Sequence, residues 1–162
     1  MELSASTPED EAFLLDLLNT TPVIDGVPTD HLDGDWMTAH NLRATADERA
    51  ALAEARSAIQ GVIRGDLKPT ALQPLLAGVR LSPTTADDGV DWQLAGVDAA
   101  ARAVLAWDGL RVNSPGRLRP CANTECQLFL IDRSKPNTAR WCSMAICGNR
   151  MKARRHYQRS RS

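Results

Sequence analysis

The chain has 162 residues, 43% of them hydrophobic and 24% charged, with a formal net charge of −1. That length suits one globular domain, or one domain plus a small module, and no run of about eighteen apolar residues offers a membrane span. The near-zero total conceals a division. Residues 111–162 carry twelve Lys/Arg against Glu125 and Asp132, a net of +10, whereas residues 1–110 carry seven against eighteen acids, a net of −11. A basic tail on an acidic body points to a polyanion partner for the tail, and also lets the two halves attract each other.

The segment Met1–Pro8 has neither a basic start nor an apolar stretch, so no secretory signal is expected and the cytoplasm is the expected location. Thr7-Pro8-Glu9-Asp10-Glu11 reads as a helix start, with Thr7 as cap, proline at the first position and acids facing the helix dipole. Phe13, Leu14, Leu17 and Leu18 then share a stripe, and Asn19 to Pro22 stops the helix. For Asn19, a turn role is preferred over ligand binding. The stretch from Val23 to Asp35, rich in Asp, Gly and Pro, reads as loop, with His31 among exposed acids rather than in a metal site. A short helix over Asp35–His40 is anchored by Trp36, with His40 at a surface or edge.

Thr45 to Arg64 is the strongest helix, with Leu52, Ala55, Ile59, Val62 and Ile63 on one face and Glu48, Arg49, Glu54 and Arg56 on a solvated one. Gly65 ends it. A shorter helix is expected at Thr70–Ala77, limited by Pro74. Residues 79–82 and 90–94 alternate apolar and polar and read as a β-hairpin around a loop at Pro83–Gly89, with Trp92 packing on the core. Asp98 to Asp108 returns to helix, and Asn113-Ser-Pro-Gly116 reads as a boundary. The expected fold is mainly α (α+β): a helical domain over 1–113 with a short hairpin, a linker at 114–117, and a small metal module over 118–162.

All four cysteines lie in that module, as Cys121-x4-Cys126 and Cys142-x4-Cys147. Two facing cysteine loops supply the tetrahedral thiolates that one structural Zn2+ takes, with no coordination position left open for catalysis. Two disulfides or four buried thiols are the competing readings. A reducing compartment and the collection of every cysteine into matched pairs favour the metal. His156 is expected to be an exposed helix residue rather than a ligand.

Trp141-Cys142-Ser143-Met144 followed by Cys147-Gly148-Asn149-Arg150 resembles the signature of the CGNR zinc-finger proteins. Cys121-x4-Cys126, Leu128-Phe129-Leu130 and Asp132-Arg133-Ser134 fit the same pattern, although Gln127 stands where a glycine is common. The resemblance implies an N-terminal helical domain of the ABATE type before the finger, and a stress-responsive transcription regulator. It covers about a quarter of the chain at the finger. Beyond it the likeness rests on Leu17-Leu18-Asn19-Thr20 and the long helix that follows.

Within the module, residues 128–131 are expected as a strand, 133–137 as a turn and 138–141 as a returning strand. A helix carrying the second cysteine pair then runs to Arg159, giving a treble-clef-like arrangement. Met144 and Met151 are expected to face the hairpin, and Gly148 to let the backbone pass close to the metal. Arg150, Lys152, Arg154, Arg155, Tyr157 and Arg159, with Arg133 and Arg140, are the candidate nucleic-acid contacts, since no acid follows Asp132. Some of that charge would balance the formal −2 of a four-thiolate zinc centre. The expected activity is that of a DNA-binding regulator, not an enzyme, since no phosphate loop and no convincing catalytic set is present. The helical domain would sense a small-molecule effector or form a homodimer. The competing expectation is a protein–protein or RNA-binding adaptor.

Overall fold

The computed structural model describes residues 6–161. The reading of Met1–Ala5 as free of a secretory signal lies outside the described residues. Helix α1 spans Pro8–Leu18, and its start is doubly capped: the Thr7 hydroxyl accepts from the Asp10 N–H while the Asp10 carboxylate accepts from the Thr7 N–H. Such a capping box satisfies donors that a helix end leaves unpaired. Phe13, Leu14, Leu17 and Leu18 are buried, as their spacing predicts.

The expected loop over Val23–Asp35 contains a small antiparallel pair, β1 (Val23–Ile24) and β2 (Val27–Pro28). Asp25 and Gly26 make its turn with φ of 50° and 79°, the left-handed geometry that an Asp-Gly pair tolerates. The dipeptide was the signal for this correction. Helix α2 (Gly34–Ala39) is capped by Asp33 and lays Trp36 against His40, with ring centroids 3.9 Å apart.

Helix α3 (Ala46–Arg64) starts at the Thr45 cap and ends at Gly65, whose φ of 84° closes the last turn. Its expected solvated face needs one correction. Arg56 is only 6% exposed, and its guanidinium donates to both carboxylate oxygens of Asp30 at 2.7 Å and to the Thr20 hydroxyl. The pair fastens the β1–β2 segment to the helix. Arg56 holds the Asp30 carboxyl below its ordinary range, chiefly by hydrogen bonding. Gln60, also buried, donates to the Leu18 carbonyl.

The helix expected at Thr70–Ala77 is a 3₁₀ helix over Pro69–Leu76, the tighter form that accommodates the internal Pro74. Strands β3 (Arg80–Ala86) and β4 (Gly89–Ala95) form the expected hairpin, but it extends through the residues read as loop and turns at Asp87-Asp88. Trp92 does not pack on the core; it is 46% exposed. Helix α4 (Ala99–Asn113) is capped by Asp98 and runs five residues beyond its expected end.

Helices α1, α3 and α4 pack on one another with the 3₁₀ segment against α3 and α4. Leu14, Leu17, Leu18, Leu52, Ile59 and Leu110 form the centre of one cluster. Burying each such side chain is worth about 1.5–3 kcal/mol. The same cluster includes Phe129, 1% exposed, from the C-terminal module, with Leu118 and Ile131 packed beside it. Apolar packing therefore continues across residues 114–117.

Strands β5 (Leu118–Pro120) and β6 (Phe129–Ile131) are antiparallel partners. This corrects the expected hairpin, in which residues 138–141 paired with β6. They form no strand, and the partner instead precedes the first cysteine. The returning segment is tied on by one backbone bond, from the Ala122 N–H to the Arg140 carbonyl at 2.8 Å. The expected single helix after Cys142 is a π-helical turn over Met144–Gly148 leading into α5 (Asn149–Arg159). No helix among the described residues is long and apolar enough to cross a membrane.

Candidate metal centre and adjoining basic helix

The first cysteine pair sits in the loop between β5 and β6; of the second, Cys142 lies just before the π-helical turn and Cys147 within it. In that turn the Gly148 N–H donates to the Ser143 carbonyl at 3.0 Å, one residue farther than an α-helical bond. The wider turn suits ligands five residues apart: Cys142 and Cys147 have their sulfurs 3.7 Å apart, as do Cys126 and Cys142.

All four sulfurs lie within 4.8 Å of one another. Zinc–sulfur bonds of about 2.3 Å in a tetrahedron give sulfur–sulfur edges of roughly 3.8 Å. The two separations of 3.7 Å fit that figure, and both are far from the ~2.05 Å of a disulfide. All four cysteines are free, so the disulfide reading fails. Donors already surround the sulfurs. The Cys142 N–H points to Cys121 Sγ at 3.4 Å, the Leu128 N–H to Cys126 Sγ at 3.5 Å, and the Asn123 side-chain amide to Cys147 Sγ at 3.5 Å. Such bonds orient thiolates and offset their charge.

Left to themselves, the thiols resist ionising together. Burial pushes Cys126 up to about 11 and, helped by the neighbouring thiols, Cys142 higher still. Burial also works on Cys147, but the Asn123 amide and the other thiols outweigh it and hold that group below its ordinary value. A divalent cation resolves the conflict, because it stabilises every thiolate at once. The geometry and donor set thus fit one structural zinc ion.

Residues 117–160 match the family model of the CGNR zinc finger. No curated protein matches the chain. The matched segment contains the complete four-sulfur cluster, both β5 and β6, and α5.

Several residues around the centre hold the module's shape. Asp132, 2% exposed, accepts from the Ser134 hydroxyl and N–H, the Ala139 N–H and Arg119. The Ser134 hydroxyl first, then these backbone donors and Arg119, hold its carboxyl below the usual range against the cost of burial. Asp132 closes the loop between β6 and the second cysteine pair. At Gly148, a Cβ would lie 2.8 Å from Met144 Sδ and 3.2 Å from Trp141 Cδ1, so the side chains of the π-helical turn also lie close to its backbone. Met144 is 54% exposed rather than turned to the strands, and only Met151 of α5 is partly buried.

Asn19 is a residue whose role exceeds its sequence reading as a turn former. Its side-chain oxygen accepts from the Phe129 N–H at 2.7 Å and its amide donates to the Phe129 carbonyl at 3.1 Å. It therefore pairs with β6 as a neighbouring strand would, and joins α1 to the module. The Arg64 guanidinium adds to the joint by donating to the Gln127 carbonyl at 3.0 Å and lying over the Phe129 ring. Asn19-to-strand pairing has no local sequence signal, since the partners are 110 residues apart.

The eight candidate nucleic-acid residues do not form one surface class. Arg133 is ion-paired with Glu11 of α1, and Arg154 with Glu125 of the first cysteine loop. Arg140 lies over the Trp141 ring with its guanidinium carbon 5.2 Å from the centroid. Arg150, Lys152, Arg155 and Arg159 are exposed with no ion-pair partner among the described residues. Tyr157 is 60% exposed, with the Arg161 guanidinium over its ring. His156 is exposed on the same helix and stands outside the four-sulfur cluster.

Proposed function

We propose that the protein is a zinc-stabilised DNA-binding regulator in which α5 enters a groove of duplex DNA. The observation that carries this reading is the state of α5: none of its residues is buried, and its basic side chains outnumber its acids five to none. A surface helix that served only solubility would mix signs and pair them. At 3.6 residues per turn, Arg150, Arg154 and Tyr157 lie on one side, with Lys152, Arg155 and Arg159 on the other. A helix about 16 Å long with cations on both flanks suits the phosphates that wall a groove.

The module is read as treble-clef-like: a cysteine knuckle, a strand pair and a helix bearing the other ligand pair. Zinc holds the start of α5, and Arg150 at that end is the residue best placed to reach a base edge. The helical body, through which the resemblance to an ABATE domain runs, would sense a small-molecule effector or bring two copies together. The whole is taken to act in the cytoplasm, on the nucleoid, without catalysing a reaction.

Met144 and Ile146, 54% and 56% exposed beside the helix start, favour the second reading, a protein-binding or RNA-binding adaptor. The test is recovery of genomic fragments on zinc-loaded protein at two salt concentrations with an RNA pool as competitor. Enrichment of a few related duplex sequences that survives the higher salt is the expected outcome. Uniform retention that collapses with salt, or displacement by RNA, would overturn sequence-selective DNA binding.

A further inference from the structure

The four sulfurs of the metal centre are not equivalent. Cys121 and Cys147 are buried, at 7% and 2% exposure, whereas Cys126 and Cys142 are half-buried. The donors around them are unequal as well. Cys121 Sγ accepts from the Cys142 N–H, Cys126 Sγ from the Leu128 N–H and Cys147 Sγ from the Asn123 amide. No N–H among the described residues reaches Cys142 Sγ, whose neighbours at such range are the sulfurs of Cys126 and Cys147, both 3.7 Å away. Cys142 thus gives a donor to one ligand and receives none.

Both differences act on reactivity. An N–H bond to a thiolate draws on the sulfur lone pairs and disperses their charge, which lowers nucleophilicity. Burial keeps a reagent away from the sulfur. Cys121 and Cys147 have both protections, Cys126 has one, and Cys142 has only its partial burial. We propose that Cys142 is a modification site: the ligand sulfur that a soft carbon electrophile, an α,β-unsaturated carbonyl, takes first. The Cys142 thiolate adds its electron pair to the β-carbon. The S–C bond forms as the C=C π bond breaks, and the α-carbon takes a proton from water, which leaves as hydroxide. The product is a neutral thioether, a far weaker ligand than a thiolate, so the cluster is left with three thiolates.

The position of Cys142 makes the adduct consequential. It stands just before the π-helical turn that leads into α5, so losing this ligand detaches the start of that helix from the cluster. No residue of α5 is buried, so the core does not hold the helix in the cluster's place. Alkylation at one atom therefore releases the metal and unfolds the basic helix. The inference rests on the metal centre alone and is independent of what α5 binds.

The test needs no substitution and no DNA. The full zinc-loaded chain is treated with substoichiometric N-ethylmaleimide, then denatured with a chelator and capped with the deuterated reagent. Fragment mass spectrometry reads the ratio of the two labels at each cysteine, and native mass spectrometry reads zinc on the singly labelled chain. Cys142 is expected to take the first label at least about fivefold faster than Cys126, with Cys121 and Cys147 slower still, because a hydrogen bond to a charged sulfur is worth at least that factor. Zinc is expected to leave with the first label, and α5 to lose its hydrogen-exchange protection. In the chain denatured and chelated beforehand, the preference for Cys142 is expected to vanish. Equal labelling of Cys126 and Cys142, a first label on Cys121 or Cys147, or a preference that persists in the denatured chain would overturn the proposal. So would a chain labelled at Cys142 that keeps its zinc.

Discussion

Helices α1 and α5 have eleven residues each and almost opposite designs. Four apolar side chains of α1 are buried and its first turn is closed by a capping box. No residue of α5 is buried, no side chain caps its start, and its last turn carries His156 and Arg159. A helix that short is marginal in water unless packing holds it. For α1 the packing is the core itself. Among the described residues, the main support for α5 is the π-helical turn and the sulfur cluster from which it emerges, with the Arg154–Glu125 ion pair beside them. The contrast teaches how one chain can spare a helix surface for a partner: a metal centre replaces the apolar face that would otherwise be needed.

Removing the metal is the sharpest way to break this contrast. Chelation, or Cys142→Ser, is expected to release zinc and unfold α5 while α1 stays protected in hydrogen exchange. The metal's contribution is on the order of 10 kcal/mol, as for other structural zinc sites. Native mass spectrometry reads the metal and hydrogen exchange reads the helices. Protection of α5 that survives chelation would show that the metal does not hold it. Leu17→Ala attacks the other side of the comparison and should cost about 2–5 kcal/mol in denaturant unfolding, because the side chain is fully buried.

The joint between the two regions is the next target. Asn19→Ala leaves the Phe129 backbone pair without its partner and is expected to cost about 1–3 kcal/mol. Its unfolding curve should also show the module loosening before the helices. Acid offers a smaller effect with a definite sign. Asp30 and Asp132 have carboxyls held below their unfolded values. Their stabilisation is complete above the ordinary carboxylate range near pH 4 and is lost as pH falls through the folded values. The thiolates release zinc on acidification as protons compete for sulfur. Circular dichroism with a zinc indicator should therefore find metal loss before collapse of the helical body. The smallest stability effect is expected from alanine at Arg150, Lys152, Arg155 and Arg159, within about 0.5 kcal/mol, since exposed unpaired charges contribute little to the fold.

Periodicity and caps made α1 and α3 legible, because Thr7, Thr45 and Gly65 mark their ends by local chemistry. The paired cysteine spacing likewise pointed to the four-sulfur cluster. What escaped had partners far along the chain. Arg56 reads as solvated by its local pattern, but Asp30 and Thr20 enclose it, and Asn19, which ends α1 as its sequence position suggests, also pairs with Phe129. The β5–β6 pairing escaped because three-residue strands carry little periodicity, so nothing local marks residues 118–120 as a strand. Hydrophobicity alone points Trp92 to the core, but it specifies a need for burial and not what supplies it; the ring is 46% exposed.

The most direct measurement of the central claim is the salt dependence of duplex DNA binding by the zinc-loaded chain, beside the variant with alanine at Arg150, Lys152, Arg155 and Arg159. If these four cations meet phosphates, the plot of log K against log salt should steepen by about 0.9 for each, or roughly 3.6 relative to the variant. Both proteins should retain zinc. Equal slopes with equal affinity would contradict the account and leave α5 without its proposed partner.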